Sequence, residues 1–198
     1  MTKLILQTQV SLDGYMGAPD GDLEWLLWHW QQEWPWDPQL RAYHEQLLSS
    51  CRVALLSGKM AVGPGFLDHW HEVAQQKGNP QQRFAQSIVD ADKVAFSRSG
   101  GGDIGWPNTR YATRPLSEEV HALKRAAKTD LIAWGGSEFV QSLLREDLVD
   151  EVHLLVNPTA LGDGLPVFPA DGKRRTYHLV HATAYSCGVT VQRYAVRS

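Results

Sequence analysis

The chain has 198 residues, of which 43 % are hydrophobic and 21 % charged, the balance of a folded globular protein and not of a disordered or collagen-like one. Nineteen Lys and Arg against 22 Asp and Glu leave a net charge of -3, and no basic block is long enough to coat a phosphate backbone. Dedicated nucleic-acid binding is excluded on that ground. The length suits one domain, taken as residues 1–198 with a Trp-rich insertion at about 25–37. No apolar run approaches the roughly 20 residues that cross a bilayer, and the N-terminus lacks a secretory pattern, so the expected location is the cytoplasm. There Cys51 and Cys187 stay as thiols with structural roles.

In chain order, residues 3–10 (KLILQTQV) read as a first strand running into the turn signal Asp13-Gly14. Five tryptophans, Trp25, Trp28, Trp30, Trp34 and Trp36, then fall within a dozen residues and suggest a lid or an interface patch. Asp37-Pro38 is an N-cap followed by proline at the first helical position, and Leu40, Tyr43, Leu47 and Leu48 continue at helical spacing to about Ser50. Residues 52–57 (RVALLS) form a buried strand, closed by Gly58 and a further helix start.

Asn79-Pro80 repeats the cap-then-proline signal ahead of Phe84, Ile88 and Val89, and the chain re-enters the sheet at 93–97 (KVAFS). Ser117, with Glu118 and Glu119 behind it, predicts a capped helix whose Val120, Leu123 and Ala127 share a face. A strand at 130–134 (DLIAW), the pair Gly135-Gly136, a helix from Ser137 to about Arg145 and a strand at 151–156 (EVHLLV) follow. The tail from Thr176 to Val196 alternates around Ser186-Cys187-Gly188 as a β-hairpin. Strands alternating with helices and closed by a hairpin predict an α/β fold, mostly parallel with an antiparallel edge, and such sheets bind ligands at the carboxyl ends of their strands.

Gly100 to Gly105 reads GGGDIG and fits the G-x-G-x-x-G spacing, but Trp106-Pro107-Asn108 forbids the helix that a dinucleotide fingerprint needs next. The segment is taken as a loop. Gly135-Gly136-Ser137-Glu138 is the better phosphate seat, because glycines let a ligand approach the backbone and a helix start attracts an anion. A plain strand-to-helix connection is the alternative reading. His69-x-His71 and His178-x-x-His181 have no carboxylates or cysteines clustered beside them, so no metal is assigned.

Several motifs in order resemble the dihydrofolate reductase-like family. They are Ser11-Leu12-Asp13-Gly14-Tyr15 after the first strand, Gly58-Lys59 after the second, Phe96-Ser97-Arg98 after the third, and Gly135-Gly136-Ser137 with Leu148-x-Asp150-Glu151. Leu161-Gly162-Asp163-Gly164 and the Ser186-x-Gly188 hairpin complete the set. The nearest branch is the reductase domain at the C-terminus of riboflavin-biosynthesis deaminase-reductases, with its stand-alone relatives.

The resemblance implies a three-layer dihydrofolate reductase-like fold and hydride transfer from NADPH to a small pterin- or pyrimidine-like heterocycle, as in 5-amino-6-(5-phosphoribosylamino)uracil reductase. The alternative is a nucleotide-binding module without turnover. By the same resemblance Lys59, Ser97 and Arg98 hold the adenosine 2′-phosphate and ribose, and Gly58 lies beside them. Gly135, Gly136, Ser137 and Glu138 take the pyrophosphate, and Val10, Ser11 and Asp13 flank the nicotinamide. Dihydrofolate reductases place a proton-donating carboxylate on their first helix shortly before a tryptophan, and Asp22-Leu23-Glu24-Trp25 is similar in kind, so Asp22 and Glu24 join Asp13 as catalytic candidates. The chain departs from the family's usual pattern at Ala61, where a threonine is common, and at Trp134, where pyrimidine reductases often carry a carboxylate. Apolar surface in the Trp-rich segment and an edge strand in the hairpin predict a homodimer.

Overall fold

A computed structural model of the chain describes residues 2–27, 37–62, 65–98 and 104–196. Trp28, Trp30, Trp34 and Trp36, and the lid reading attached to them, lie outside the described residues. The elements run β1 (Leu4–Val10), α1 (Pro38–Ser50), β2 (Cys51–Ser57), α2 (Gly58–Val62), α3 (Phe66–Gln75), α4 (Gln82–Asp90), β3 (Asp92–Phe96) and β4 (Thr109–Tyr111). The second half adds α5 (Leu116–Ala126), β5 (Asp130–Trp134), α6 (Ser137–Arg145), β6 (Glu151–Val156), β7 (Tyr177–Ala184) and β8 (Thr190–Val196).

Eight strands form one sheet in the order β4-β3-β2-β5-β1-β6-β8-β7. The first six positions are parallel, and β8 turns the sheet antiparallel against β6 before pairing with β7. Alternation along β1 divides the core between two faces. Ile5 packs with Ala54, Ile132 and helices α1, α3 and α4, whereas Leu4 and Leu6 pack with Leu55, Leu131 and helices α5 and α6. These are the three layers of the expected fold.

Local chemistry explains several boundaries. Asp37 Oδ1 accepts from the backbone N–H of Gln39 (2.8 Å) and Leu40 (3.2 Å), and Pro38 needs no N–H at the first helical position. The other oxygen of Asp37 accepts from Ser186 N–H (2.8 Å) and from the Ser186 hydroxyl, tying α1 to the terminal hairpin. Lys93 enters β3 buried, and its ammonium donates to the carbonyls of Ile88, Val89 and Ala91 at 3.1, 3.0 and 2.7 Å, closing the end of α4. Burial brings its pKa down to about 8.

Two elements go beyond the sequence expectations: helix α3, and the three-residue strand β4 that extends the sheet past β3. Ser117 is not the cap of α5; the helix begins at Leu116, Pro115 precedes it without a side-chain cap, and Ser117 sits within its first turn. Behind the Gly100–Gly105 motif the chain enters β4 and not a helix, as the proline argument requires. Cys51 and Cys187 are free, and burial pushes the Cys51 thiol up to about 11. Among the described residues no helix is long and apolar enough to cross a membrane.

Candidate active site

The parallel strands end on one side of the sheet, and the motif residues gather there. Gly58 opens α2 directly against the end of β3: a Cβ on it would stand 2.8 Å from Ser97 Cβ and 3.1 Å from the Phe96 carbonyl oxygen. Only a glycine fits so close, and the consequence is that Lys59 and the Ser97-Arg98 pair emerge side by side, all three exposed. The departure at position 61 has a local sense, because Ala61 is buried in the core under α2.

At the end of β5 the two glycines differ. A Cβ on Gly135 would meet Phe139 Cδ1 at 2.6 Å and Ser57 Cβ at 3.2 Å, so this glycine is needed for packing. A Cβ on Gly136 would meet nothing within 4 Å, and no side chain caps the helix that starts behind it. Backbone open to solvent in front of an uncapped helix start suits an anion. Ser137 is buried; its hydroxyl donates to the Pro166 carbonyl (2.6 Å) and accepts from Gln141 Nε2 (3.0 Å), so the side chain anchors α6 to the 161–167 loop. Glu138 points out and pairs with Arg98 at 3.1 Å, both side chains more than 80 % exposed.

The loop after β1 is fastened to the loop after β6. Asp13 accepts from the Ser11 hydroxyl (2.5 Å) and from the N–H groups of Leu161 (3.1 Å) and Gly162 (2.7 Å). Those bonds, the Ser11 hydroxyl foremost, hold its carboxyl at about 2. The backbone adds Leu12 N–H to Thr159 O, Met16 N–H to Leu165 O and Val167 N–H to Gly14 O. Gly164 completes the clasp with a φ of +158°, where a Cβ would be 2.3 Å from the Gly17 oxygen. Two motifs of the sequence reading are thus one structure, and Asp13 is committed to holding it. Val10 is buried at the end of β1, and its carbonyl accepts from Asn157 N–H at 2.8 Å.

A cavity of about 200 Å³ opens over the middle and carboxyl ends of β1 and β5, on the face covered by α1, α3 and α4. Its walls are mainly apolar; the polar exceptions are Gln7, Thr8 and Gln9 of β1 and His44 of α1. The Trp134 indole donates to Gln7 Oε1 at 2.8 Å. An indole N–H only donates, which turns the Gln7 amide nitrogen toward Tyr43 Oη (3.4 Å) and His44 Nδ1 (3.2 Å). His44 must accept at Nδ1, so its own proton sits on Nε2. Complete burial lowers its pKa to about 3 and keeps the ring neutral. From Tyr43 the network continues to His153 Nδ1 (2.9 Å), and His153 Nε2 lies 3.3 Å from both Glu151 Oε2 and Arg193 Nε.

Asp22 and Glu24 do not stand on a helix, and the first helix among the described residues, α1, begins at Pro38. They belong to a turn in which Asp22 accepts from Glu24 N–H (3.1 Å), both are exposed, and only their apolar neighbours Leu23 and Leu26 reach the cavity wall. The comparison with the first-helix carboxylate is therefore corrected: position and exposure both differ. The polar wall residues Gln7, Gln9 and His44 were not among the sequence candidates, although polar residues on an otherwise buried strand and on the apolar stripe of a helix are the signal that marks them. His69 and His71 are taken up by the rings of Trp70 and Trp106, and among the described residues no group of three or more His, Cys, Asp or Glu is placed to hold a metal.

A mostly parallel sheet with an antiparallel end, layered by helices and carrying its cleft at the strand ends, defines a dihydrofolate reductase-like α/β fold. The model of the RibD C-terminal domain matches residues 2–191, and the chain belongs to that family. Among solved structures it resembles a protein assigned to riboflavin biosynthesis from Shewanella sp. PV-4, with a TM-score of 0.70, 18 % identity and full coverage of both chains. It also resembles RibD of Acinetobacter baumannii (TM-score 0.67, 15 % identity), covering all of this chain but 59 % of that one. Dihydrofolate reductase from Enterococcus faecalis, complexed with NADP(H), aligns over 99 % of this chain and 97 % of its own at a TM-score of 0.57 and 12 % identity. By sequence the chain is 23 % identical over 189 residues to the uncharacterized protein YyaP of Bacillus subtilis (strain 168), covering 94 % and 91 % of the two chains.

Proposed function

We propose that the chain is an NADPH-dependent reductase acting on a small heterocycle. The observation that carries this reading is the adjacency of the two halves of the site: Gly135 lines the cavity, and the open backbone of Gly136 follows it directly. NADPH, when bound, would supply the hydride. The residues present fit it. Gly136 and the uncapped start of α6 would take the pyrophosphate, while Lys59, Ser97 and Arg98, brought together by Gly58, would take the adenosine end and its 2′-phosphate. Val10 and the clasped loop behind it would fix the nicotinamide edge, with Asp13 acting through the loop and not as a proton donor.

A second reading, a binding module without turnover, is favoured by one observation: no carboxylate is among the described residues that line the cavity. Comparing NADPH and NADH binding separates the possibilities. Arg98→Ala is expected to weaken NADPH by about 1–2 kcal/mol, the charge-assisted range reduced for an exposed group, and to leave NADH nearly unchanged. Equal losses for the two cofactors would refute the assignment, and NADPH binding without oxidation by any pterin or pyrimidine would favour the binding module.

A further inference from the structure

We propose that the cavity receives an uncharged, flat ring compound that carries no phosphate. The inference rests on the reductase reading for its place in the reaction, but its support is the cavity itself. Phe66, Trp70, Phe84 and Trp134 supply aromatic wall, with the Trp70 and Phe84 rings edge to face at 4.8 Å and Phe66 tilted against Trp134 at 6.2 Å. Such walls accept a planar ring by stacking or edge contact. The polar side chains that β1 and α1 turn to this face, the amides of Gln7 and Gln9 and the imidazole of His44, are all uncharged, and the Trp134-Gln7-His44 chain of hydrogen bonds fixes the imidazole as its neutral Nε2–H form.

An anion buried here would need a cation, and the molecule places its cations elsewhere. No Lys or Arg lines the cavity among the described residues. The sequence segments outside the description between residues 2 and 196, namely 28–36, 63–64 and 99–103, contain none either. Lys93, the buried lysine of the same half of the sheet, spends its three protons on the carbonyls that end α4. Lys59 and Arg98 stand at the ends of β2 and β3, where the cofactor reading already uses them. A phosphorylated or carboxylated substrate would lose its hydration without a counter-charge, whereas a neutral ring meets a wall that is mainly aromatic and aliphatic and whose polar side chains carry no charge.

The test uses the full chain, with and without NADP+, and titrates quinoxaline against quinoxaline-2-carboxylate by calorimetry. A second pair, 5-amino-6-(ribosylamino)uracil and its 5′-phosphate, carries the comparison to pyrimidines. The neutral member of each pair is expected to bind at least about tenfold more tightly. Phe66→Ala, checked for an unchanged circular dichroism spectrum, is expected to weaken quinoxaline about tenfold and so locate it in the cavity. Equal or tighter binding of the charged members, no binding of either quinoxaline, or an affinity indifferent to Phe66 would overturn the proposal. Failure of the reductase reading looks different: NADPH alone would not bind, while the preference for neutral rings would persist without cofactor.

Discussion

Gly135 and Gly136 are neighbours in sequence with opposite reasons to be glycine, and alanine at each separates packing from binding. In Gly135→Ala the new methyl would stand 2.6 Å from Phe139 Cδ1 and 3.2 Å from Ser57 Cβ. Phe139 has little room to yield, because it is buried and stacked on Phe96 at 5.4 Å. Overpacking of this kind costs about 1–3 kcal/mol, and each kcal/mol lowers Tm by about 2–4 °C in a chain of this size. In Gly136→Ala the methyl meets open space, and the backbone angles of -72° and 167° suit any residue. That variant is expected to match the parent or gain up to about 1 kcal/mol from a less flexible unfolded chain. Its NADPH affinity should nevertheless fall by about tenfold, or about 1.4 kcal/mol, since the methyl occupies the approach of the pyrophosphate. Urea unfolding, read as the midpoint at constant slope, and NADPH titration by tryptophan fluorescence give the two quantities. Undiminished NADPH binding by Gly136→Ala would refute the seat, and undiminished stability of Gly135→Ala would refute the packing argument.

Three further predictions concern pH and assembly. His44 and His153 are held neutral by burial, at about 3 and about 4, so the unfolded chain takes up protons first as pH falls below about 6.5; stability should drop by about 1.4 kcal/mol per pH unit for each ring, and urea midpoints of His44→Phe between pH 7 and 5 should show a slope shallower by one proton. Asp37 is lowered, chiefly by Ser186, so its contribution is present above the ordinary carboxylate value of 3.8 and lost as pH falls through the folded value; Asp37→Asn should flatten that acid limb, and an unchanged limb would count against the hairpin lock. The outer strand β7 exposes Leu179 and Val180 at 51 % and 48 %, and light scattering is expected to give twice the chain mass for the parent and a single chain mass for Val180→Lys; a monomeric parent would end the homodimer expectation.

Much of the fold was legible because local chemistry and global arrangement agree. Asp37-Pro38 caps α1 as its residue types require, and β1, β2, β5 and β6 are apolar runs of strand length. The losses have physical causes. β4 is three residues long with half-exposed ends, too short for periodicity to register. Helix α3 carries Leu67, Trp70, Val73 and Ala74 at helical spacing, but its histidines invite a ligand reading that turns attention from the stripe. At α5, Ser117 looks like a cap because the serine-acid-acid string is a common helix start, whereas the cap position is taken by Pro115, two residues earlier. In the site, the glycine and basic residues were readable from motif order, since strand ends are where parallel sheets bind ligands. The cavity wall was not, because Gln7, His44 and Trp134 come from β1, α1 and β5 and only the folded sheet brings them within hydrogen-bonding distance. The first-helix carboxylate failed for a related reason: Asp22 and Glu24 lie in an exposed turn, where Asp22 accepts from the Glu24 N–H, and no residue pattern around them marks that turn as other than a helix start.

The central claim is that one ligand spans the strand ends from Arg98 to the cavity, and a crystal structure of the chain with NADPH bound tests it most directly. The 2′-phosphate is expected within hydrogen-bonding reach of Lys59 or Arg98, the pyrophosphate on the backbone of Gly136 and Ser137, and the nicotinamide beside Val10 with its reactive face toward the cavity of Gln7 and His44. A cofactor lying elsewhere, or with its nicotinamide turned away from that cavity, would contradict it.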